Sequence, residues 1–167
     1  QFGTSGFTVE CWLCPTMLSI DSPHQRRRLL DKGLWPATWW NVDITSDGRI
    51  RMEMADSSKQ TGTSESDGAI SENNWTHLAI VVDRTRFTTA YYLNGRLDST
   101  KPLPKTFTGN LDLAGKSFTS GSWQPYIGLM DELKVYKRVF GSREALTSFT
   151  AAKARYRSTG FVAEPED

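Results

Sequence analysis

Along much of the chain apolar residues recur at every second position, the period of half-buried strands rather than helices. Phe7, Val9, Cys11 and Leu13 alternate with Thr8, Glu10 and Trp12 until Pro15 ends the run. Residues 28–32 predict a short second strand. Residues 39–45 and 49–54 flank Ser46-Asp47-Gly48, where Asp-Gly suits a tight hairpin. Residues 55–68 are polar and rich in Ser, Thr and Gly, and read as a mobile surface loop. Residues 75–83 are apolar on both parities, which predicts a central strand covered on two faces. A strand over 87–93 runs into Asn94-Gly95, a strong hairpin signal, and 96–99 returns. Further strands are predicted over 111–114 and 126–136, with a loop over 115–121. One helix is predicted, over 143–152, with Ser142 as N-cap and Glu144 in the first turn. Residues 157–167 form a tail or an edge strand. About nine strands and one late helix predict an all-β, two-sheet antiparallel β-sandwich.

Composition supports one such domain over residues 1–167, with its core in 7–149. A chain of 167 residues fits the usual domain size, and six Trp, five Tyr and eight Phe supply a core. No run approaches the length of a membrane span, so membrane insertion is not expected. The formal charge of +1 argues against nucleic acid as a partner. It hides a split, with eight acids against three Lys and Arg over 43–83 and seven bases against Glu144 alone over 134–157. The chain begins at Gln1 without a leader-like segment, which suggests a domain cut from a larger protein. Cys11 and Cys14 point to opposite faces of one strand, so they read as free buried thiols rather than a redox pair.

Four segments in register carry a family resemblance: Phe7-Thr8-Val9-Glu10-Cys11-Trp12-Leu13, Asn74-Trp75-Thr76-His77-Leu78-Ala79, Tyr92-Leu93-Asn94-Gly95, and residues 128–138 with Asp131-Glu132 at their centre. Together they resemble the laminin G-like domains of the concanavalin A-like lectin and glucanase superfamily. The resemblance implies a jelly roll with a short C-terminal helix, placed outside the cell or on its surface. It also implies a glycan or an extracellular protein as partner. Two departures stand out. Only six residues precede Phe7, so the strand that family members carry there is missing, and Thr76 stands where many have His.

The candidate chemistry is that of binding. No alternating run of acids suits glycoside hydrolysis, and neither His24 nor His77 has a nucleophile elbow. No enzyme is expected, and His77 in a central strand reads as structural. Trp35, Trp39 and Trp40 lie beside Pro36, and Trp123 lies in a Gly-Ser-Trp-Gln-Pro loop. Indole faces stack on sugar rings, while Asn41, Asp43 and Gln124 are suited to fixing hydroxyls. One of Trp39 and Trp40 must turn inward, which leaves Trp35 and Trp123 as better candidates. Trp12 and Trp75 are assigned to the sandwich interior. Asp131 and Glu132 should face opposite sides of their strand. They are either calcium ligands, helped by Asp43 or Asp112, or carboxylates held by loop amides or an Arg. The absent strand weighs against calcium as a cofactor. The basic run Arg26-Arg27-Arg28 is expected in a loop. With Lys137, Arg138, Arg143, Lys153, Arg155 and Arg157 it is expected to form a solvated face, the alternative implied by the resemblance being a site for sulfated or acidic glycans. Asn74-Trp75-Thr76 is a formal glycosylation sequon, discounted here because it opens a strand expected to be buried. The reading that emerges is a non-catalytic carbohydrate-binding or adhesion module. Its alternative is a protein-interaction or spacer domain with no sugar site.

Overall fold

The structure, a computed structural model, describes residues 2–21, 23–33, 37–112, 118–119 and 124–157. Among these are ten strands and one helix: β1 (Phe7–Met17), β2 (Arg26–Gly33), β3 (Trp39–Thr45), β4 (Arg49–Ala55), β5 (Thr61–Ala69), β6 (Thr76–Asp83), β7 (Thr88–Leu93), β8 (Arg96–Pro102), β9 (Phe118–Thr119), β10 (Ile127–Tyr136) and α1 (Ser142–Arg157). They form two antiparallel sheets, ordered β10-β1-β6-β7-β8 and β5-β4-β3-β2-β9. The predicted β-sandwich with one C-terminal helix is the observed fold.

Alternation decides what goes between the sheets. Phe7, Val9, Cys11 and Leu13 of β1, with Leu78, Ile80 and Val82 of β6, meet Trp40, Val42 and Ile44 of β3 and Ile50, Met52 and Met54 of β4. The even positions of β1 and the odd positions of β6, paired across the strands, face away from this core and would be wet in a two-layer sandwich. Helix α1 covers them instead. Ala79 and Val81 pack with Tyr92, Phe140 and Ala145 in a second apolar cluster. This explains why β6 is apolar on both parities. Each large side chain fully buried in these layers stabilises the fold by about 1.5–3 kcal/mol.

Several expectations change. Trp12 is buried, but under the helix rather than between the sheets, because it has the even parity of β1. Its ring stacks on Tyr156 at 4.1 Å and on Phe149 at 5.6 Å. Trp75 is only half-buried and touches the same Tyr156 at 4.8 Å. The expected loop over 55–68 contains strand β5. Its alternation is hidden because the inward residues are small: a Cβ on Gly62 would stand 2.3 Å from Leu103, and the buried Ser66 hydroxyl accepts the Ile50 N–H at 2.9 Å. Residues 111–112 are not in a strand, and 113–114 lie outside the described residues. The helix runs five residues further than its apolar pattern suggests. It starts on Gly141, whose N–H donates to Glu144 Oε2 at 3.0 Å and whose carbonyl accepts the Glu144 N–H at 3.0 Å. Ser142 therefore occupies the first helical position rather than the cap. Cys11 and Cys14 are buried free thiols, as expected. Asn74 is exposed, so burial does not discount the sequon. The tail over 158–167 lies outside the described residues.

The β7–β8 hairpin locks sheet and helix together. Asn94 and Gly95 have φ of +51° and +75°, the left-handed values of a two-residue turn between paired Leu93 and Arg96. A Cβ on Gly95 would stand 2.8 Å from Phe149 Cβ and 3.1 Å from Leu146 Cα. Gly95→Ala should lose about 2 kcal/mol, combining the left-handed penalty with displacement of α1. Urea denaturation should show a lower midpoint at unchanged slope. An unshifted midpoint would remove the turn from the argument.

Candidate functional site

The polar partners of the core residues on β2, β3 and β4 share the outer face of the second sheet. Cross-strand register sets Asp43 beside Arg28 and Arg51, and Asn41 beside Asp31 and Glu53. Their side chains make a ladder of alternating charge. Arg28 Nε donates to Asp43 Oδ1 at 2.5 Å, and Arg26 Nε lies 3.4 Å from Asp43 Oδ2. Arg26 Nη1 reaches Glu53 Oε1 at 2.9 Å. Arg51 joins Glu53 at 2.6 Å and Glu65 on β5 at 2.5 Å. Burial pushes the Asp43 carboxyl up, and this outweighs the two arginines beside it. For Glu53 burial also acts upward, but bonds from Arg51 and Arg26 win and hold it below the usual range. Glu53 is thus a committed carboxylate, and Asp43 lies fully buried behind its arginines.

Asn41 occupies the middle of this face and is 3% exposed. Among the described residues its Oδ1 has no hydrogen-bond partner. An unmet buried acceptor costs about 1–3 kcal/mol unless a donor arrives. Trp39, half-buried, stands two residues away on the same side of β3, opposite Ala55. Residues 124–126 lie along β2: the Arg28 N–H donates to the Gln124 carbonyl at 2.7 Å, and the Tyr126 N–H to the Arg28 carbonyl at 3.0 Å. The half-buried Gln124 is thereby held beside the Arg28–Asp43 pair.

Of the expected ligand residues, the structure gathers Trp39, Asn41 and Gln124. Trp40 is not among them: at 1% exposure it packs against Phe7 at 5.6 Å in the core, since it has the opposite parity to Trp39. Trp35 and Trp123 lie outside the described residues. The Arg26–Arg28 run, expected in a loop, starts strand β2, and its outer members are the cations of the ladder. The signal for them was present in the alternating polar positions of β3 and β4, which had to face something hydrophilic.

Asp131 and Glu132 do not divide between two faces. A register shift in the β1–β10 pairing, with Glu132 at φ +53°, breaks the alternation and turns both toward α1. Asp131 accepts the Tyr156 hydroxyl at 2.7 Å, while Glu132 is bound by Arg155 at 2.7 Å and Lys134 at 2.6 Å. Asp43 is held by arginines, and Asp112 accepts the Gly3 N–H at 2.7 Å. Among the described residues no group of three His, Cys, Asp or Glu is arranged to hold a metal ion. In the basic C-terminal region Arg138 is paired with Glu144 and lies over Phe140 at 4.6 Å.

Beneath α1 lies a second polar cluster. His77 Nε2 and Glu10 Oε1 are 2.9 Å apart, both buried, and Ser148 of the helix donates to the same carboxylate. Three such groups invite a catalytic reading, but His77 is fully buried, and its neighbours are Trp12 and Phe149. The pair ties the helix to the sheet, while His77 Nδ1 and Glu10 Oε2 have no partner among the described residues.

These geometries meet the comparisons with known proteins on common ground. The sequence profile of the concanavalin A-like lectin/glucanases superfamily matches residues 1–145. The chain belongs to this superfamily. Solved structures with the superfamily's sandwich agree with the match. The binding domain of Paraclostridial Mosquitocidal Protein 1 superposes with a TM-score of 0.70 at 19% identity, over 90% of this chain and 38% of that one. The Ruminococcus gnavus IT-sialidase CBM40, bound to α2,3-sialyllactose, gives 0.69 at 18% identity over 88% and 84%. A Limulus polyphemus pentraxin gives 0.64 at 14% over 88% and 70%. At these identities the likeness is one of fold, and this superfamily member spans little more than a third of the mosquitocidal binding domain. Among curated proteins no relative matches the sequence. No described helix is long and apolar enough to cross a membrane.

The Glu10 pair has a pH signature. Burial pushes the Glu10 carboxyl up, yet hydrogen bonds from His77 and Ser148 and the imidazole's charge outweigh it and hold it below its ordinary 4.5. Stability from this depressed group is complete above pH 4.5 and is lost as pH falls through the lower folded-state value. Acid titration followed by Trp fluorescence should report release of α1 from Trp12, and Glu10→Gln should flatten that dependence. Identical acid titrations for the two proteins would contradict it.

Proposed function

We propose that the chain is a non-catalytic carbohydrate-binding module of a larger protein, acting outside the cell or on its surface through the outer face of its second sheet. The observation that carries this reading is Asn41. Its buried, unmet carbonyl oxygen lies in a field of paired charges, with an indole on the same side of its strand and Gln124 held at the neighbouring strand. Sugar hydroxyls donate and accept at once, so they suit a face that offers an open acceptor among guanidinium and carboxylate groups. Trp39 supplies the flat apolar partner for a ring face. The fold is shared with a sialidase's CBM40 that was solved with a bound sialyllactose, which supports the reading without naming the sugar. Trp35 and Trp123 are further candidates for stacking.

A second reading is favoured by β10. It is an edge strand that exposes Ile127, Leu129, Leu133 and Val135 at 37–47%. A long apolar edge of this kind suits a protein partner that adds a strand or covers the stripe.

A glycan array followed by calorimetry tests the first reading. Asn41→Ala and Trp39→Ala should each weaken retention of the bound glycan at least tenfold, about 1.4 kcal/mol or more. Absence of binding to any neutral or acidic glycan, or unchanged affinity in both variants, would sink it. Leu129→Lys with Leu133→Lys should spare glycan binding and abolish a contact made through β10.

A further inference from the structure

Three arginines in succession on β2 meet two different fates. Arg26 and Arg28 are neutralised on the outer face by Asp43 and Glu53. Arg27, between them, has the inward parity, opposite the core residue Ile44, where an apolar side chain is the rule. It is 7% exposed. Its Nη2 donates to the Ser19 carbonyl at 2.5 Å and its Nη1 to the Pro125 carbonyl at 3.3 Å, while Nε has no partner. Among the described residues no carboxylate pairs with it. Arg84, buried to a similar degree, differs: it has Asp56 at 4.0 Å, three carbonyl acceptors and the Phe107 ring at 4.9 Å.

Arg27 lines a cleft of about 510 Å³ at one end of the sandwich. The loop after β1 and the β3–β4 turn form its other walls. Met17 and Ile20 are apolar, Ser19 and Ser46 carry hydroxyls, Gln25 an amide, and Asp21 a carboxylate that is not ion-paired with Arg27. We infer that this cleft is a second ligand site, separate from the sheet face, and takes the carboxylate of an acidic sugar. The inference rests on the carbohydrate reading for the class of ligand, but its residues are distinct. A guanidinium fork is the side chain best matched to a carboxylate, and a buried cation held only by carbonyls lacks the counter-charge that such a ligand brings. The apolar wall suits the C–H face of a pyranose. The serine hydroxyls and Asp21 suit its hydroxyl groups. A neutral sugar would leave the Arg27 charge uncompensated and should bind poorly.

Glucuronate and glucose differ in this single group and serve as probes in an amide NMR titration of the whole chain. Glucuronate should shift the amides of residues 17–21, Arg27 and Ser46, and glucose should leave them in place. Arg27→Met should weaken glucuronate at least tenfold without lowering the thermal midpoint, since it replaces an unpaired buried charge by an apolar chain of similar length. If that variant fails to fold, Arg27→Lys, which keeps the charge but loses the fork, should show the weakening. Unmoved amides, equal response to glucose, equal affinity for acetate, or full affinity in the folded variant would each overturn the site. Asn41→Ala should leave glucuronate binding here intact. A failure of the sheet-face reading therefore registers separately, as array binding that Asn41→Ala and Trp39→Ala leave unchanged.

Discussion

Everything else in the molecule depends on the alternation of β1. This strand is hydrogen-bonded on both sides, to β10 and β6, and its two faces feed two different layers. Phe7, Val9, Cys11 and Leu13 enter the sandwich core, while Thr8, Glu10 and Trp12 support α1. A slip of one residue would put a carboxylate into the apolar core and Phe7 against the helix's polar contacts, so the register is strongly determined. The helix is held by the same logic. Thr8 Oγ1 donates to the Arg138 carbonyl at 2.8 Å, Glu10 accepts from Ser148, and Trp12 stacks between two helix aromatics.

The parts of the fold that were legible are those in which period and side-chain type agree. β1, β3 and β6 show apolar residues at strand spacing, and Asn94-Gly95 satisfies the φ demands of its turn. β5 was not legible because its inward residues are Gly62, Ser64 and Ser66. Leu103 and Tyr91 fill the space that larger side chains would need, so the apolar half of the alternation belongs to other elements. The helix was cut short for a related reason. Its last turns pair Arg155 and Tyr156 with the β10 bulge, a tertiary contact that local pattern does not carry.

The candidate site shows the same division. Trp39, Asn41 and Gln124 were chosen on chemistry, and strand parity alone separated Trp39 from Trp40. Their role depends on Arg26, Arg28 and Glu53, whose meaning changed once the arginine run proved to be strand. In a loop three adjacent arginines form one patch. On a strand they split between two faces, and two become structural while one is left over. The Asp131–Glu132 pair departs from strand parity for the opposite reason, because a bulge cancels the alternation there.

What separates structure from function in this domain is the extent to which buried polar groups are satisfied. Most native polar groups removed from water have partners, so those lacking them carry information. Glu10 and His77 bond to one another beneath a helix and act as a fastener, although Glu10 Oε2 and His77 Nδ1 have no partner among the described residues. Asp56 accepts the Gly109 N–H at 2.6 Å and the Ser58 N–H at 2.9 Å, and sits near Arg84, which ties distant loops together. Asn41 Oδ1 and the Arg27 charge differ in their settings, one in the middle of the outer face of the second sheet and one lining a cleft. The first lacks a donor and the second an anion. On the function proposed above, an acidic saccharide would carry both complements, a hydroxyl donor for the first and a carboxylate for the second.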